Sequence, residues 1–288
     1  MKKLLLINSL FLLLSACGRP GQSESDLDFQ AEAMPIKGGI DVPSTDPLAP
    51  SLVRIINTQP KQEFICTGAL IHPRVVLTAA HCLPNSYEGL VVHFGVQPKD
   101  FKNLDEGFTV ATAIAHEKYN PEIIRDDNPD IALLILDREA PETARIIALD
   151  SEDYPLKLVN PTPLRAYGYG VSGNATGFFV RPKRDMGVLR SVDVVSNNFS
   201  RKKENFQVDQ KNKKGVCSGD SGGPLILQTE MGPVVAGITM SGRKDIVRVF
   251  LDYISRGRSD LCEGKTTFKT VAYYRPWIDS KINALFGQ

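Results

Sequence analysis

The sequence predicts a mostly β fold with a single C-terminal helix, and two patterns support this prediction. Short runs rich in Val, Ile, Leu and Tyr alternate with clusters of Gly, Pro, Asn and Asp, as strands alternate with turns. The clearest of these runs are residues 51–57, 74–78, 89–94, 131–136, 190–195, 223–227 and 233–239. Many short strands of this kind are typical of a barrel or a sandwich.

The predicted helix occupies the C-terminus. Pro276 is suited to the first turn of a helix, and the apolar residues that follow it at helical spacing are Trp277, Ile278, Ile282 and Leu285. We interpret this stripe as core packing rather than as a partner-binding face.

The composition is that of a folded domain without a dominant charge. The chain has 288 residues, of which 42% are hydrophobic and 23% charged, which is enough for one large domain or two small lobes. Its formal net charge of +1 excludes a general electrostatic attraction to nucleic acids. We interpret the basic run at residues 201–214 as a solvated loop, with a binding patch as the alternative.

The N-terminus has the layout of a secretory signal, with two lysines before an apolar stretch at residues 4–14. This stretch is too short to span a bilayer as a mature helix. It ends in Leu14-Ser15-Ala16-Cys17, which resembles the lipobox of bacterial lipoproteins. That resemblance implies a signal peptide at residues 1–16 and a lipid on Cys17, while an ordinary cleaved signal is the alternative.

Residues 17–35 are predicted to be a lipid-anchored tether or propeptide. From position 18 onward they are rich in Gly, Ser, Gln, Glu and Asp, with too little apolar content to form a core. The predicted folded domain is therefore residues 36–288.

Five cysteines in an exported chain leave one unpaired if the others form disulfides, and Cys17 accounts for it. The remaining four are Cys66, Cys82, Cys217 and Cys262. Four cysteines allow three pairings, and spacing alone does not select one. Export favours disulfides over a metal site, which would require tighter Cys/His spacing.

The most informative motif is Gly219-Asp220-Ser221-Gly222-Gly223. Small neighbours leave the Ser221 hydroxyl open to a substrate carbonyl, and a tight glycine turn directs backbone N–H groups toward the oxygen that becomes negative. A serine hydroxyl is a weak nucleophile, so a base must lie within hydrogen-bond reach.

The chain contains a candidate base and a candidate partner for it. His81 follows an apolar run and precedes Cys82, while Asp130 lies at the start of the apolar run at residues 131–136. A carboxylate there requires hydrogen-bond donors to offset its burial, and a histidine N–H is suitable. These observations point to a nucleophile, a base and an orienting carboxylate.

In their order His, Asp, Ser, these motifs resemble those of the trypsin/chymotrypsin family. Three more segments resemble that family, namely residues 116–120, 168–170 and 271–278, so the resemblance covers residues 36 to 285. It implies two antiparallel six-stranded β-barrels with a C-terminal helix, an active site between them, and lobes at about 36–155 and 156–288.

The resemblance also implies roles for individual residues. Ser221 would attack a peptide carbonyl, His81 would take its proton, and Asp130 would orient the imidazole. The N–H groups of Gly219 and Ser221 would form the oxyanion hole. The implied disulfides join Cys66 to Cys82, and Cys217 to Cys262. The implied activity is that of a serine endopeptidase acting on proteins or peptides.

Ile36-Lys37-Gly38-Gly39 resembles the Ile-Val-Gly-Gly start of the mature family enzymes. That likeness implies a zymogen in which a protease cuts before Ile36 and the new ammonium pairs with Asp220. Pro35 precedes the cut, so we expect an activator without trypsin-like specificity. Because Cys17 lies upstream, the same cut would release the domain from the envelope to the periplasm or the exterior.

The resemblance places Gly215, Gly242 and Thr266 in the specificity pocket. No carboxylate stands at 215, so we expect an apolar first residue rather than Lys or Arg. Met240 stands where relatives have a serine whose hydroxyl supports the aspartate. Acidic residues in the unmatched stretch 243–261 are an alternative source of charge in the pocket.

Two other functions are alternatives to an enzyme: a catalytically silent surface binding protein of the same fold, and a structural lipoprotein of the envelope. We expect no cofactor and no metal, no nucleic-acid partner, and membrane contact only through a lipidated Cys17.

Overall fold

The computed structural model describes residues 36, 38–59, 64–84, 86–97, 107–123, 125–154, 158–170, 187–210, 214–240 and 265–287. In chain order the strands of this part are β1 (Ile40–Asp41), β2 (Leu52–Asn57), β3 (Phe64–His72), β4 (Val75–Thr78), β5 (Leu90–Phe94), β6 (Phe108–Ala115), β7 (Ala132–Leu136), β8 (Ala148–Leu149), β9 (Thr162–Gly168), β10 (Arg190–Ser196), β11 (Asn205–Asp209), β12 (Pro224–Thr229), β13 (Gly232–Thr239) and β14 (Lys265–Thr270). Helix α1 is Val271–Phe286, and short 3₁₀ helices lie at Ala49–Ser51 and Ala80–Cys82.

The first lobe is a closed antiparallel barrel with strand order β2-β3-β4-β7-β6-β5. Strands β2, β4 and β7 are buried along their whole length, which suits their Val, Ile and Leu content. Strands β4 and β7 are neighbours in register, with Thr78 opposite Ala132. This pairing brings the C-terminal end of β4 next to the start of β7, where the candidate base and carboxylate lie.

The second lobe is a half-barrel sheet with strand order β1-β10-β9-β12-β13-β14-β11, and β8 pairs with β13. Its core includes the stacked rings of Phe206 and Phe268, together with Ile36, Leu164 and Leu225. With the closed barrel and the C-terminal helix, this sheet confirms the predicted mostly β fold class and is consistent with the two predicted barrels.

Helix α1 begins at Val271, so the predicted start at Pro276 is wrong. Val271, Ala272 and Tyr274 are buried, and their packing extends the helix ahead of the proline. The predicted stripe also needs a correction, because Leu285 is 43% exposed, whereas Phe286 stacks on His72 of the first lobe at 4.3 Å. Of the helices in the described residues, none is long and apolar enough to cross a membrane.

The basic run at residues 201–214 is not simply a solvated loop. Arg201 is 7% exposed, and its guanidinium forms an ion pair with the buried Asp150. Residues Asn205–Asp209 form β11, which pairs with β14. The prediction of a solvated loop considered only the number of charges. It did not take into account the buried Asp150 that pairs with Arg201, or the alternating burial of β11.

Candidate active site

His81 and Asp130 are joined by two hydrogen bonds at one end of the first barrel. The Nδ1 atom of His81 lies 2.7 Å from Asp130 Oδ2, and the backbone N–H of His81 donates to Oδ1 at 2.8 Å. The Asp130 side chain is 4% exposed and that of His81 is 26% exposed. A buried carboxylate on Nδ1 leaves Nε2 available as a base, which is the arrangement a general base requires.

The turn before β7 holds Asp130 in place through Asn128. The Asn128 amide nitrogen donates to the carbonyls of Asn120 at 2.7 Å and Ile123 at 2.6 Å, and its oxygen accepts from the N–H of Asn120 at 3.0 Å. The N–H of Asp130 itself donates to the carbonyl of Asn128 at 2.8 Å. This buried amide therefore fixes the backbone that carries the carboxylate.

A disulfide fixes the segment that carries His81. Cys66 on β3 is bonded to Cys82, which follows His81 in the 3₁₀ helix Ala80–Cys82. The Sγ atom of Cys82 lies 3.9 Å from His81 Nε2. Cys66, Cys82 and His81 lie close enough together to be considered as a metal site. The two cysteine sulfurs are bonded to each other, however, so the group lacks the thiolates that a metal ion would bind.

The loop that carries Ser221 presents two backbone donors without an acceptor among the residues that the structure describes. Gly219 has φ +96°, a conformation that favours glycine. Within the described part of the chain, the N–H groups of Gly219 and Ser221 donate to no acceptor. Two neighbouring N–H groups of this kind can stabilise a developing oxyanion.

The Ser221 hydroxyl makes no hydrogen bond to any described residue, including His81. The serine and the imidazole are nevertheless close, because Cys82 Sγ lies 3.7 Å from the carbonyl oxygen of Ser221 and also contacts His81 Nε2. In substrate-free sites the contact between nucleophile and base is often long and shortens on binding. The structure therefore brings the three predicted residues into one region and forms one of their two mutual contacts.

A family model described as Trypsin matches residues 38–249. The chain belongs to the trypsin family. Human granzyme M is 31% identical over 251 residues, covering 84% of this chain and 87% of that protein. Human kallikrein-2 is 28% identical over 236 residues, covering 76% of this chain and 80% of that protein. The fold is similar to that of human heparin binding protein, with TM-score 0.62 and 24% identity over 86% of this chain and 97% of that one.

The trypsin-family aspartate before the serine, Asp220, is fully buried and held by backbone donors. Its carboxylate accepts from the N–H of Gly170 at 2.8 Å and of Cys217 at 2.7 Å. Burial raises the pKa of Asp220 to about 7, although these two bonds and the nearby Arg190 act in the opposite direction. Ile36 is also buried, and no hydrogen bond joins it to Asp220 in the described residues of the uncleaved chain.

The predicted specificity residues lie partly within the described residues. Gly215 packs against Gln210, since a β-carbon at 215 would lie 2.2 Å from Gln210 Cδ. The Gln210 amide exchanges two hydrogen bonds with the backbone of Val216. Thr266 and Met240 are buried, and Gly242 lies outside the described residues.

The second implied disulfide can be traced only in part. Cys217 is disulfide-bonded, and its predicted partner Cys262 lies outside the described residues. Cys17, the predicted lipid attachment, also lies outside them. The Cys66–Cys82 disulfide is consistent with export, because disulfides persist in oxidising compartments.

Sequence reasoning missed several residues that support this trypsin-family site. Thr67 and Gln210 contact the serine loop through buried hydrogen bonds, and Lys269 is a fully buried cation on β14. A polar residue in an apolar strand was the available signal for Thr67, whereas Lys269 lies in the mostly polar strand β14 and gave no such signal. Their partners lie far away in the chain, so only the tertiary structure reveals the contacts.

Proposed function

We propose that this protein is a serine endopeptidase that cleaves proteins through an acyl-enzyme. The observation that carries the proposal is the 2.7 Å contact between His81 Nδ1 and Asp130, beside a serine loop in which two N–H groups donate to no acceptor among the described residues. Membership of the trypsin family supports the same activity at the level of the family.

In the proposed mechanism, Ser221 Oγ attacks the substrate carbonyl while His81 Nε2 accepts its proton. Asp130 stabilises the resulting imidazolium, and the N–H groups of Gly219 and Ser221 stabilise the oxyanion. The imidazolium then donates its proton to the leaving amine, which breaks the peptide bond and leaves an acyl group on Ser221. Water, activated by the same imidazole, hydrolyses the ester and restores the serine.

Labelling with a fluorophosphonate tests this proposal directly. We expect the proteolytically processed protein to take up one label per chain, and Ser221→Ala to take up none. Ser218→Ala is the matched control, because Ser218 is an exposed serine of the same loop. A processed wild-type protein that takes no label and cleaves no peptide in a library supports the alternative, a silent binding protein of the same fold.

We further propose that cleavage before Ile36 both activates the enzyme and releases it from a lipid on Cys17. The new ammonium would pair with Asp220, whose burial disfavours its charged form until a cation arrives. N-terminal sequencing of the active species is the test, with Ile36 as the expected first residue. An active enzyme that still carries lipidated Cys17 contradicts the coupling.

Lipidation is tested separately by metabolic labelling with a radioactive fatty acid. We expect label in the full-length chain, located at the bacterial envelope, and none in Cys17→Ser. Label-free wild type supports an ordinary cleaved signal instead.

The proposed substrate preference is an apolar residue on the acyl side of the cleaved bond. Gly215 places no charge at the pocket position that bears aspartate in trypsin, and the neighbouring Gln210 is neutral. Profiling of a peptide library tests this preference. Dominant cleavage after Lys or Arg contradicts it and points to acidic residues between 243 and 261.

A further inference from the structure

Thr67 is a fully buried threonine on β3 of the first lobe whose polar groups contact the serine loop of the second. Its hydroxyl donates to the carbonyl of Gly219 at 2.9 Å and accepts from the N–H of Tyr169 at 3.0 Å. Its own N–H donates to the carbonyl of Ser221 at 2.8 Å. One residue of the first lobe therefore holds the carbonyls of both residues whose N–H groups form the proposed oxyanion hole.

The hydroxyl bond acts on a peptide unit that lies between the two donors. The N–H of Gly219 belongs to the peptide before Gly219, and the N–H of Ser221 belongs to the peptide after Asp220. The peptide between Gly219 and Asp220 connects them, and its carbonyl is the group that Thr67 holds. Fixing this carbonyl fixes the relative direction of the two N–H groups.

An anchor matters here because Gly219 lacks the steric restraint of a side chain. Its φ of +96° is one of several conformations that glycine adopts at similar cost, so local sequence does not hold the peptide in place. The Thr67 hydroxyl is in turn fixed by the N–H of Tyr169, and the Thr67 carbonyl accepts from Thr78 Oγ1 at 2.9 Å. The anchor is thus itself restrained on both sides.

We propose that Thr67 is a positioning residue for transition-state stabilisation, acting through the Gly219 carbonyl. This inference rests on the proposed function. Thr67 touches neither the substrate nor the reacting atoms. It keeps the two N–H groups aimed at the oxyanion, which stabilises the transition state more than the bound substrate.

The test compares Thr67→Val with Thr67→Ser in the processed enzyme. Valine keeps the shape of threonine but removes the hydroxyl, whereas serine restores it. Thr239→Val is the matched control, since Thr239 is 2% exposed and its hydroxyl donates to the carbonyl of Gly223 at 3.0 Å in the same region. The readouts are kcat and KM for a peptide substrate, the Ki of a peptide boronic acid as a transition-state analogue, and thermal unfolding.

We expect Thr67→Val to lower kcat by about tenfold to a hundredfold, less than the 10²–10³ that follows direct loss of an oxyanion donor. KM should change by less than about threefold, and the affinity for the boronic acid should fall by the same factor as kcat. Thr67→Ser should restore kcat to within a few-fold. Thr239→Val should lower the unfolding temperature comparably while leaving kcat and Ki near those of wild type.

Each other outcome contradicts the inference. If Thr67→Val and Thr239→Val reduce kcat equally, or if the loss follows only the folded fraction, then Thr67 is merely a core residue. If Thr67→Ser is as impaired as Thr67→Val, the hydroxyl is not the active group. An active wild type with an unchanged Thr67→Val overturns this inference alone, whereas a wild type without hydrolysis or label overturns the proposed function as well.

Discussion

The two halves of the candidate site are built in different ways. His81 and Asp130 both belong to the first barrel, where the pairing of β4 with β7 aligns Thr78 with Ala132 and brings both side chains to the same end. Their hydrogen bond is formed. Ser221 belongs to the second lobe, and its hydroxyl makes no hydrogen bond to the described residues. Strand register within one barrel thus sets the first contact, while packing between lobes governs the second.

Besides the contacts of Thr67 with the serine loop, the two lobes also meet close to the chain segment that carries Asp130. Asp126 accepts four hydrogen bonds from side chains of β11 and β14, which come from Asn205, Gln207, Thr267 and Lys269. The Lys269 ammonium, with a fully buried side chain, also contacts Glu204 at 3.1 Å. Burial lowers the pKa of Lys269, while Glu204 acts in the opposite direction. This cluster ties the Asp130 segment to the lobe that carries the serine.

The largest expected effect comes from breaking the contact inside the first barrel. Asp130→Asn preserves the shape of the side chain but removes the charge that, in the proposed mechanism, stabilises the imidazolium and selects its tautomer. We expect kcat to fall by about 10⁴-fold, the loss that follows an Asp→Asn change in a Ser-His-Asp triad. Steady-state kinetics measures it, with Asp127→Asn as control because that side chain is 58% exposed. A loss of tenfold or less contradicts the assigned role.

The second prediction concerns Asp220 in the uncleaved chain. Its pKa is about 7 in the fold and near the ordinary 3.8 when unfolded, so the folded state binds an extra proton between these values. The contribution of Asp220 to the free energy of unfolding should therefore be greatest below pH 4. It should fall as the pH rises toward 7, by at most about 1.4 kcal/mol per pH unit.

Urea unfolding at several pH values, compared with Asp220→Asn, isolates this contribution. The stability of the variant relative to wild type should increase from pH 4 to pH 7. Cleavage before Ile36 should reverse the trend, because a paired ammonium lowers the pKa of the carboxyl. A difference between the two proteins that does not vary with pH is incompatible with a raised pKa.

The third prediction concerns the covalent support of His81. Replacing Cys66 and Cys82 together by serine removes a cross-link with a sequence separation of 16. The chain-entropy account predicts a loss of about 3 kcal/mol in the free energy of unfolding. Urea titration of the double variant measures it, and reductant is unsuitable because Cys217 is also disulfide-bonded. Unchanged stability would show that the native packing holds the segment without the bond.

The smallest expected effect concerns Lys269, the buried lysine at the boundary between the two lobes. Lys269→Met leaves the Asp126 carbonyl and Glu204 without their cation, and we expect a loss of about 2 kcal/mol because Glu204 is partly solvated. Lys281→Met is the control, since its ion pair with Glu117 is more exposed and should contribute less than about 1 kcal/mol. Equal losses in the two variants argue against a special role for the buried lysine.

Predictions from sequence agree best with the structure for strands, whose apolar pattern is a local property of the chain. The strand-forming runs at 74–78 and 131–136 correspond to β4 and β7 within one residue at their starts. The helix start at Pro276 was wrong because buried contacts of Val271 and Tyr274 extend α1 through the proline. The solvated basic loop was wrong because Arg201 has a buried carboxylate partner far away in the chain. Both errors come from tertiary contacts that residue type alone does not encode.

The sequence by itself determined the strand pattern and the presence of a helix at the C-terminus. It also supplied the proposed base, carboxylate and nucleophile, because each lies in a short motif with its own chemistry. Only the tertiary structure decided that Thr67 contacts Gly219 and that Lys269 contacts Asp126. Those contacts join residues more than a hundred positions apart, so they exist only once the two lobes have packed against each other.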